Sequence, residues 1–164
     1  MATPTNLPAS FVSGAILTAA QQNDLRGAFR VLQVVSATTT TVTNTALTAF
    51  GDVGLSATIT PQSITSKVLC VTFNACAKVT GNTGNAVRLQ VLRNATVVNT
   101  YRFGLLTNSD VANVGSLDMI VLDSPASTSA LTYKVQMANE VAANLVQYSP
   151  NDTQSTIILM EISA

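Results

Sequence analysis

With 164 residues, 8 basic and 8 acidic side chains and no histidine, the chain has room for one domain with a substantial core. It has little charge with which to hold nucleic acid or run acid–base chemistry. Only 10% of residues are charged and mean hydropathy is +0.36, whereas a typical exposed surface is roughly a quarter to a third charged. The surface must therefore consist of Ser, Thr, Asn and Gln together with apolar side chains, which favours association over a free monomer.

The first 29 residues read as a leader. Pro4, Pro8 and the Ser13-Gly14 pair interrupt an extended arm through residue 16. Thr18 followed three residues later by Gln21 has the pattern of a capping box, and Gly27 is a natural stop, so a helix of about two turns is expected between them. A helix that short is not stable alone. Phe11, Ile16, Leu17, Leu25 and Phe29 are the anchors through which the leader would dock on another surface. The arm carries no basic region ahead of an apolar run, so no secretory signal is expected. No stretch has the roughly 20 apolar residues of a membrane span.

From residue 30 to 164 the period is two, the signature of strands. Strand-like runs fall at about Arg30–Ser36, Thr39–Thr43, Thr45–Phe50, Leu55–Thr60, Lys67–Val79, Ala86–Arg93, Thr96–Phe103, Leu117–Leu122, Leu131–Ala138, Asn144–Tyr148 and Thr156–Ile162. Turn chemistry separates them: Gly51 to Gly54, Pro61, Gly81 to Asn85, Asn94-Ala95, Asp123 to Pro125 and Ser149 to Asp152. Many short strands at such spacing predict an all-β, antiparallel sandwich or barrel behind the arm and short helix. Arg88 to Phe103 around Asn94-Ala95 is the clearest hairpin, because Asn tolerates positive φ in a tight turn.

Two strands break the usual alternation. In Ser155–Ile162 one parity reads Ile157, Leu159, Glu161 and the other Thr156, Ile158, Met160, Ile162. Val31 to Val35 has the same two-sided character. A sandwich strand needs only one apolar face, so a further layer is expected. Symmetry-related copies around a closed axis would supply it, with Leu32, Val34, Ile157 and Leu159 as the candidate oligomer interface. The competing source of cover is the chain's own leader.

Candidates for chemistry are few. Without histidine there is no His-dependent hydrolase, and the commonest metal ligand is missing. Cys70 and Cys76 share one face of a predicted strand, roughly 20 Å apart and beyond disulfide reach; they read as small apolar residues. Asp123-Ser124-Pro125 adjoins an acid and a hydroxyl, in ordinary turn chemistry. Most of the 8 acids sit beside turn residues. Glu161 lies in the last strand and is expected near its exposed end, since burying an unpaired charge is costly. Asn108 to Asp110 and Asn151-Asp152 lack EF-hand spacing, and there is no P-loop or dinucleotide fingerprint. Asn94 and Asn151 begin glycosylation-type triplets with no secretion signal to give them meaning. No catalytic residue, cofactor or metal site is expected. The 8 basic residues are dispersed, so no nucleic-acid partner is expected either.

Several stretches together resemble tailed-bacteriophage virion structural proteins. Phe11 to Leu25 (FVSGAILTAAQQNDL) resembles the leader that opens many of them. Phe50 to Leu69 (FGDVGLSATITPQSITSKVL), Val91 to Val97 (VLRNATV), Leu122 to Gln136 (LDSPASTSALTYKVQ) and Ser155 to Ile162 (STIILMEI) resemble a β-domain of tail-fibre and small virion proteins. The resemblance implies a non-enzymatic virion protein with an antiparallel jelly-roll-like β-sandwich, a homotrimer, whose leader docks on other virion proteins in the tail, neck or capsid. It implies no catalytic residues. Two placements stay open, a short tail or neck fibre that touches a host surface glycan or protein, and a capsid cement or decoration protein. A carbohydrate-binding module or glycan-active enzyme is the reading from another class, and the lack of Trp and His weighs against it.

Overall fold

In the computed structural model, residues 31–79, 86–104 and 113–163 are described, with Gly14, Ile16, Thr18 and Ala19 in addition. The expected arm and helix otherwise lie outside the described residues, as do Phe11, Leu17, Leu25, Phe29 and the turn Gly81 to Asn85. Among the described residues no helix is long and apolar enough to cross a membrane.

The described chain is all-β and antiparallel. In order the strands are β1 (Val31–Thr39), β2 (Thr43–Thr45), β3 (Gly51–Ile59), β4 (Lys67–Phe73), β5 (Ala75–Lys78), β6 (Ala86–Arg93), β7 (Thr96–Gly104), β8 (Asn113–Ser116), β9 (Met119–Asp123), β10 (Leu131–Asn139), β11 (Val146–Tyr148) and β12 (Ser155–Ile162). A 3-10 turn at Pro150–Asp152 joins the last two. The first sheet has the order β1-β12-β4-β9, the second β3-β10-β6-β7 and the third β2-β11-β5-β8. The third sheet repeats the first: β1 leads to β2, β4 to β5, β8 to β9 and β11 to β12, in the same lateral order. Counting each such pair as one bent strand leaves two layers of four strands.

The layers meet face to face. The first sheet turns Val68, Cys70, Met119, Val121, Ile157 and Leu159 inward, and the second turns Leu55, Ile59, Leu89, Val91, Tyr133 and Val135 to meet them in one core. The edges close together as well, β1 against β3 on one side and β7 against β9 on the other. Burying a large aliphatic side chain contributes roughly 1.5–3 kcal/mol, so this interior is the main source of stability.

Several expected boundaries move. The run Lys67–Val79 is two strands, broken at Asn74, and Cys70 and Cys76 lie in different sheets. Gly51 to Gly54 is strand rather than turn. There the register jumps from Lys134↔Ser56 to Gln136↔Asp52, a bulge on β3 at which Gly54 takes φ +80°, a conformation glycine adopts without strain. Thr45–Phe50 contributes strand only at its first residue, and β8 has no counterpart among the expected runs. The Asn94-Ala95 hairpin forms as expected, with Asn94 at φ 54°. Asn94 also binds β10: its N–H donates to Thr132 O (2.7 Å) and its Oδ1 accepts from Thr132 N (3.0 Å).

Candidate interaction surface

The two layers present opposite outer faces. Register sets the rows on the first sheet. One row runs Val34, Met160, Leu69, Leu122; the next runs Ser36, Ile158, Val71, Ile120; a third holds Thr38, Thr156 and Phe73. The first row and three of four residues in the second are apolar, and they extend to both edges: Val34 is 59% exposed, Phe73 49%, Ile120 66% and Leu122 55%. An antiparallel sheet with one solvated face normally alternates apolar inside and polar outside. The first sheet does not.

The second sheet's outer face is built the other way. Asp52, Gln136 and Gln90 form a row across β3, β10 and β6. Gln136 Nε2 donates to Asp52 Oδ1 (2.6 Å), Gln90 Nε2 donates to Gln136 Oε1 (2.6 Å), and Lys134 Nζ sits 2.9 Å from Asp52 Oδ2. These bonds hold the Asp52 carboxyl below its usual range, the lysine contact being the largest cause and the Gln136 bond the next. The Thr58 and Thr132 hydroxyls meet at 2.9 Å. At the end of β10, Glu140 lies 3.3 Å from Arg88 Nε and 3.5 Å from Arg102 Nε.

Other polar groups among the described residues are structural ties. At the break between β4 and β5, Asn74 Nδ2 donates to Thr72 Oγ1 (2.7 Å) and to Leu117 O (2.7 Å), and its Oδ1 accepts from Tyr148 OH (2.6 Å). Asp118 accepts from the Asn74 N–H, and Ser155 Oγ accepts from the Ala75 N–H. This network satisfies the backbone where the strand leaves one sheet for the other. Burial holds the Tyr148 phenol well above its usual range, with the Cys76 sulfur adding to the shift against a lowering bond to Ser155. Asp123, the candidate acid beside Ser124, accepts at Oδ2 from Arg93 Nη1 (2.7 Å) and Tyr133 OH (2.7 Å). That ties the first sheet to the second. Burial and then the bond to Asp123 push the Tyr133 phenol up, so it stays protonated.

Glu161 corrects an expectation. It is fully buried on the inner face. Gln33 Nε2 donates to Oε2 (2.6 Å), and the Gln62 N–H donates to Oε1 (2.7 Å). The cost of burial is offset by two neutral donors rather than by exposure. Both cysteines are free and buried. Burial pushes each thiol up to about 12, helped by the charge of Asp123 at Cys70 and of Asp118 at Cys76. Thiols in that state are poor nucleophiles. Among the described residues no group of three His, Cys, Asp or Glu lies together as a metal site would require.

The candidate interface residues divide. Val34 is on the outer face, and Leu32 is half-buried at the bulge where β1 slips against β12. Ile157 and Leu159 belong to the core at 0% exposure, so no partner can reach them. The outward parity of β12 is Ile158 and Met160. Like Leu69, Val71, Ile120 and Leu122, they lie outside the interface set expected from sequence. Of the leader anchors only Ile16 is described, and it is 94% exposed.

No family model matches the chain, and no curated protein matches it. Among solved structures it is similar to infectious bursal disease virus Gx strain, with 14% identity, 80% of this chain and 37% of that chain covered and a TM-score of 0.39. It is also similar to the T=1 particles derived from infectious bursal virus, with 13% identity, 82% and 37% covered and a TM-score of 0.43. A third similarity is to dimeric latent PorU from Porphyromonas gingivalis, with 9% identity, 81% and 13% covered and a TM-score of 0.42. The chain thus spans well under half the length of each, and overlaps at these scores carry no argument about fold or function.

Proposed function

We propose that this chain is a non-enzymatic bacteriophage virion structural protein of the short tail- or neck-fibre type. It self-associates, is attached through its leader and displays the second sheet. One observation carries the reading: the two layers have outer faces of opposite character, apolar on the first sheet and hydrogen-bonded polar on the second. A protein so divided hides one side in an assembly and wets the other. Among the described residues the polar clusters pair mostly with one another and set no nucleophile beside a base. We read the order of the bent strands as a jelly roll, built as two Greek keys. The phage assignment, the three copies and the virion as docking surface come from the sequence resemblance, and the docking role of Phe11, Ile16, Leu17, Leu25 and Phe29 comes from the leader's apolar residues.

Antibody labelling of virions of the encoding phage tests this. Label confined to the tail or neck is the expected result. Label over the whole shell selects the cement or decoration reading instead, and unlabelled particles refute both. Hydrolysis of a host glycan by the purified protein would overturn the non-enzymatic assignment.

A further inference from the structure

We propose that the outer face of the first sheet is where copies of this chain meet, each presenting that same face to the next. The inference rests on the self-association in the reading above and names its surface.

Charge is the first argument for a second copy as the occupant. Between Lys67 at one end of the face and Asp118 at the other, the rows hold no charged side chain. Two such faces meet without burying an ion, which removes the largest cost of a like-on-like contact. A basic or acidic partner would find no complementary charge here.

Size is the second. Four strands at about 4.8 Å spacing and six or seven residues at about 3.3 Å give a footprint of roughly 400 Å². A standard interface buries about 800 Å² per partner, and contacts near half that size are weak or transient. The face is therefore matched to reversible association of single copies. Anchoring several copies side by side would drive it to completion by raising their effective concentration. The third argument concerns the competing cover. Ile16, the one described leader anchor, is 94% exposed, so at that position the leader does not lie on its own sheet.

Sedimentation of the full chain from about 1 to 500 µM, the range of weak interfaces, tests the proposal. The expected result is a mass that climbs with concentration from 17.1 kDa to a multiple of it. Ile120→Lys and Leu122→Lys, at residues 66% and 55% exposed, should weaken the association at least tenfold while leaving the unfolding midpoint unchanged. Thr58→Lys, on the opposite outer face, should leave it intact. A single-copy species at every concentration overturns the proposal, as does association that both first-sheet variants retain. Virion labelling fails or succeeds separately. A protein found on particles whose association ignores Ile120 sinks this inference alone, and one that associates through Ile120 but is absent from particles sinks the virion reading alone.

Discussion

Replacing Asn74 with alanine strikes the point where β4 passes into β5. The side chain, 1% exposed, donates to Thr72 Oγ1 and Leu117 O and accepts from Tyr148 OH. Three hydrogen bonds at about 1 kcal/mol net each are lost, and the hydroxyl proton of the fully buried Tyr148 is left without its acceptor at a further cost of about 1–3 kcal/mol. Release of side-chain entropy returns less than about 1 kcal/mol. The expected loss is about 4 kcal/mol, which for a chain of this size lowers Tm by roughly 8–16 °C. Urea unfolding followed by circular dichroism reads it directly. Tyr148→Phe removes only one of the three bonds and should cost about 1–2 kcal/mol. The double variant should then fall short of additivity by about 1 kcal/mol, since both substitutions delete the same contact. If Asn74→Ala costs less than about 1 kcal/mol, or the two changes add, the junction is not held by this network and the reasoning fails.

The thiols give a pH prediction. Both cysteines titrate higher folded than unfolded, at about 12 against 9.0; their contribution is therefore complete below pH 9 and is lost as pH rises from 9 towards 12. Unfolding free energy measured across that window should fall, and Cys70→Val should flatten the slope. For the same reason a thiol reagent at pH 8 should label neither Cys70 nor Cys76 until the protein unfolds; rapid labelling of the native protein would contradict their burial. Ile157→Ala should cost about 2–5 kcal/mol in urea unfolding, whereas Ile120→Thr on the outer face should stay within about 0.5 kcal/mol. Asp123→Ala leaves the Tyr133 hydroxyl and Arg93 unpartnered between the sheets and should cost about 2–3 kcal/mol by thermal unfolding; no change would mean that the tie is replaced by solvent.

Four strands were legible in sequence: β6, β7, β10 and β12 fall within a residue or so of the expected runs. The Asn94-Ala95 turn was legible because a positive φ selects few residue types. That β12 is apolar on both sides was also legible, and it led to the exposed sheet face. Which parity faces inward was not, because Ile157 and Leu159 are as apolar as Ile158 and Met160. Pairing decides it, through Val35 and Cys70 on the neighbouring strands. Glu161 was misplaced for a related reason. Its partners Gln33 and Gln62 lie 128 and 99 residues away in the chain, so no local pattern announces them. At Gly51 to Gly54 the chemistry of a bulge and of a turn is the same, and only the ladder with β10 tells them apart. Asn74 did carry a signal, since asparagine is depleted in strands and stands in the middle of the longest expected run.

The ladder of Asp52, Gln136 and Gln90 has a consequence for how the molecule meets its surroundings. Amide and hydroxyl groups attract water without setting up a long-ranged field, so ionic strength has little to screen. Whatever carries this domain with its first sheet hidden wears a wet but nearly neutral skin. Dilution into low salt or transfer into brine should leave that skin's adhesion almost unchanged, where a coat of lysines or glutamates would respond steeply.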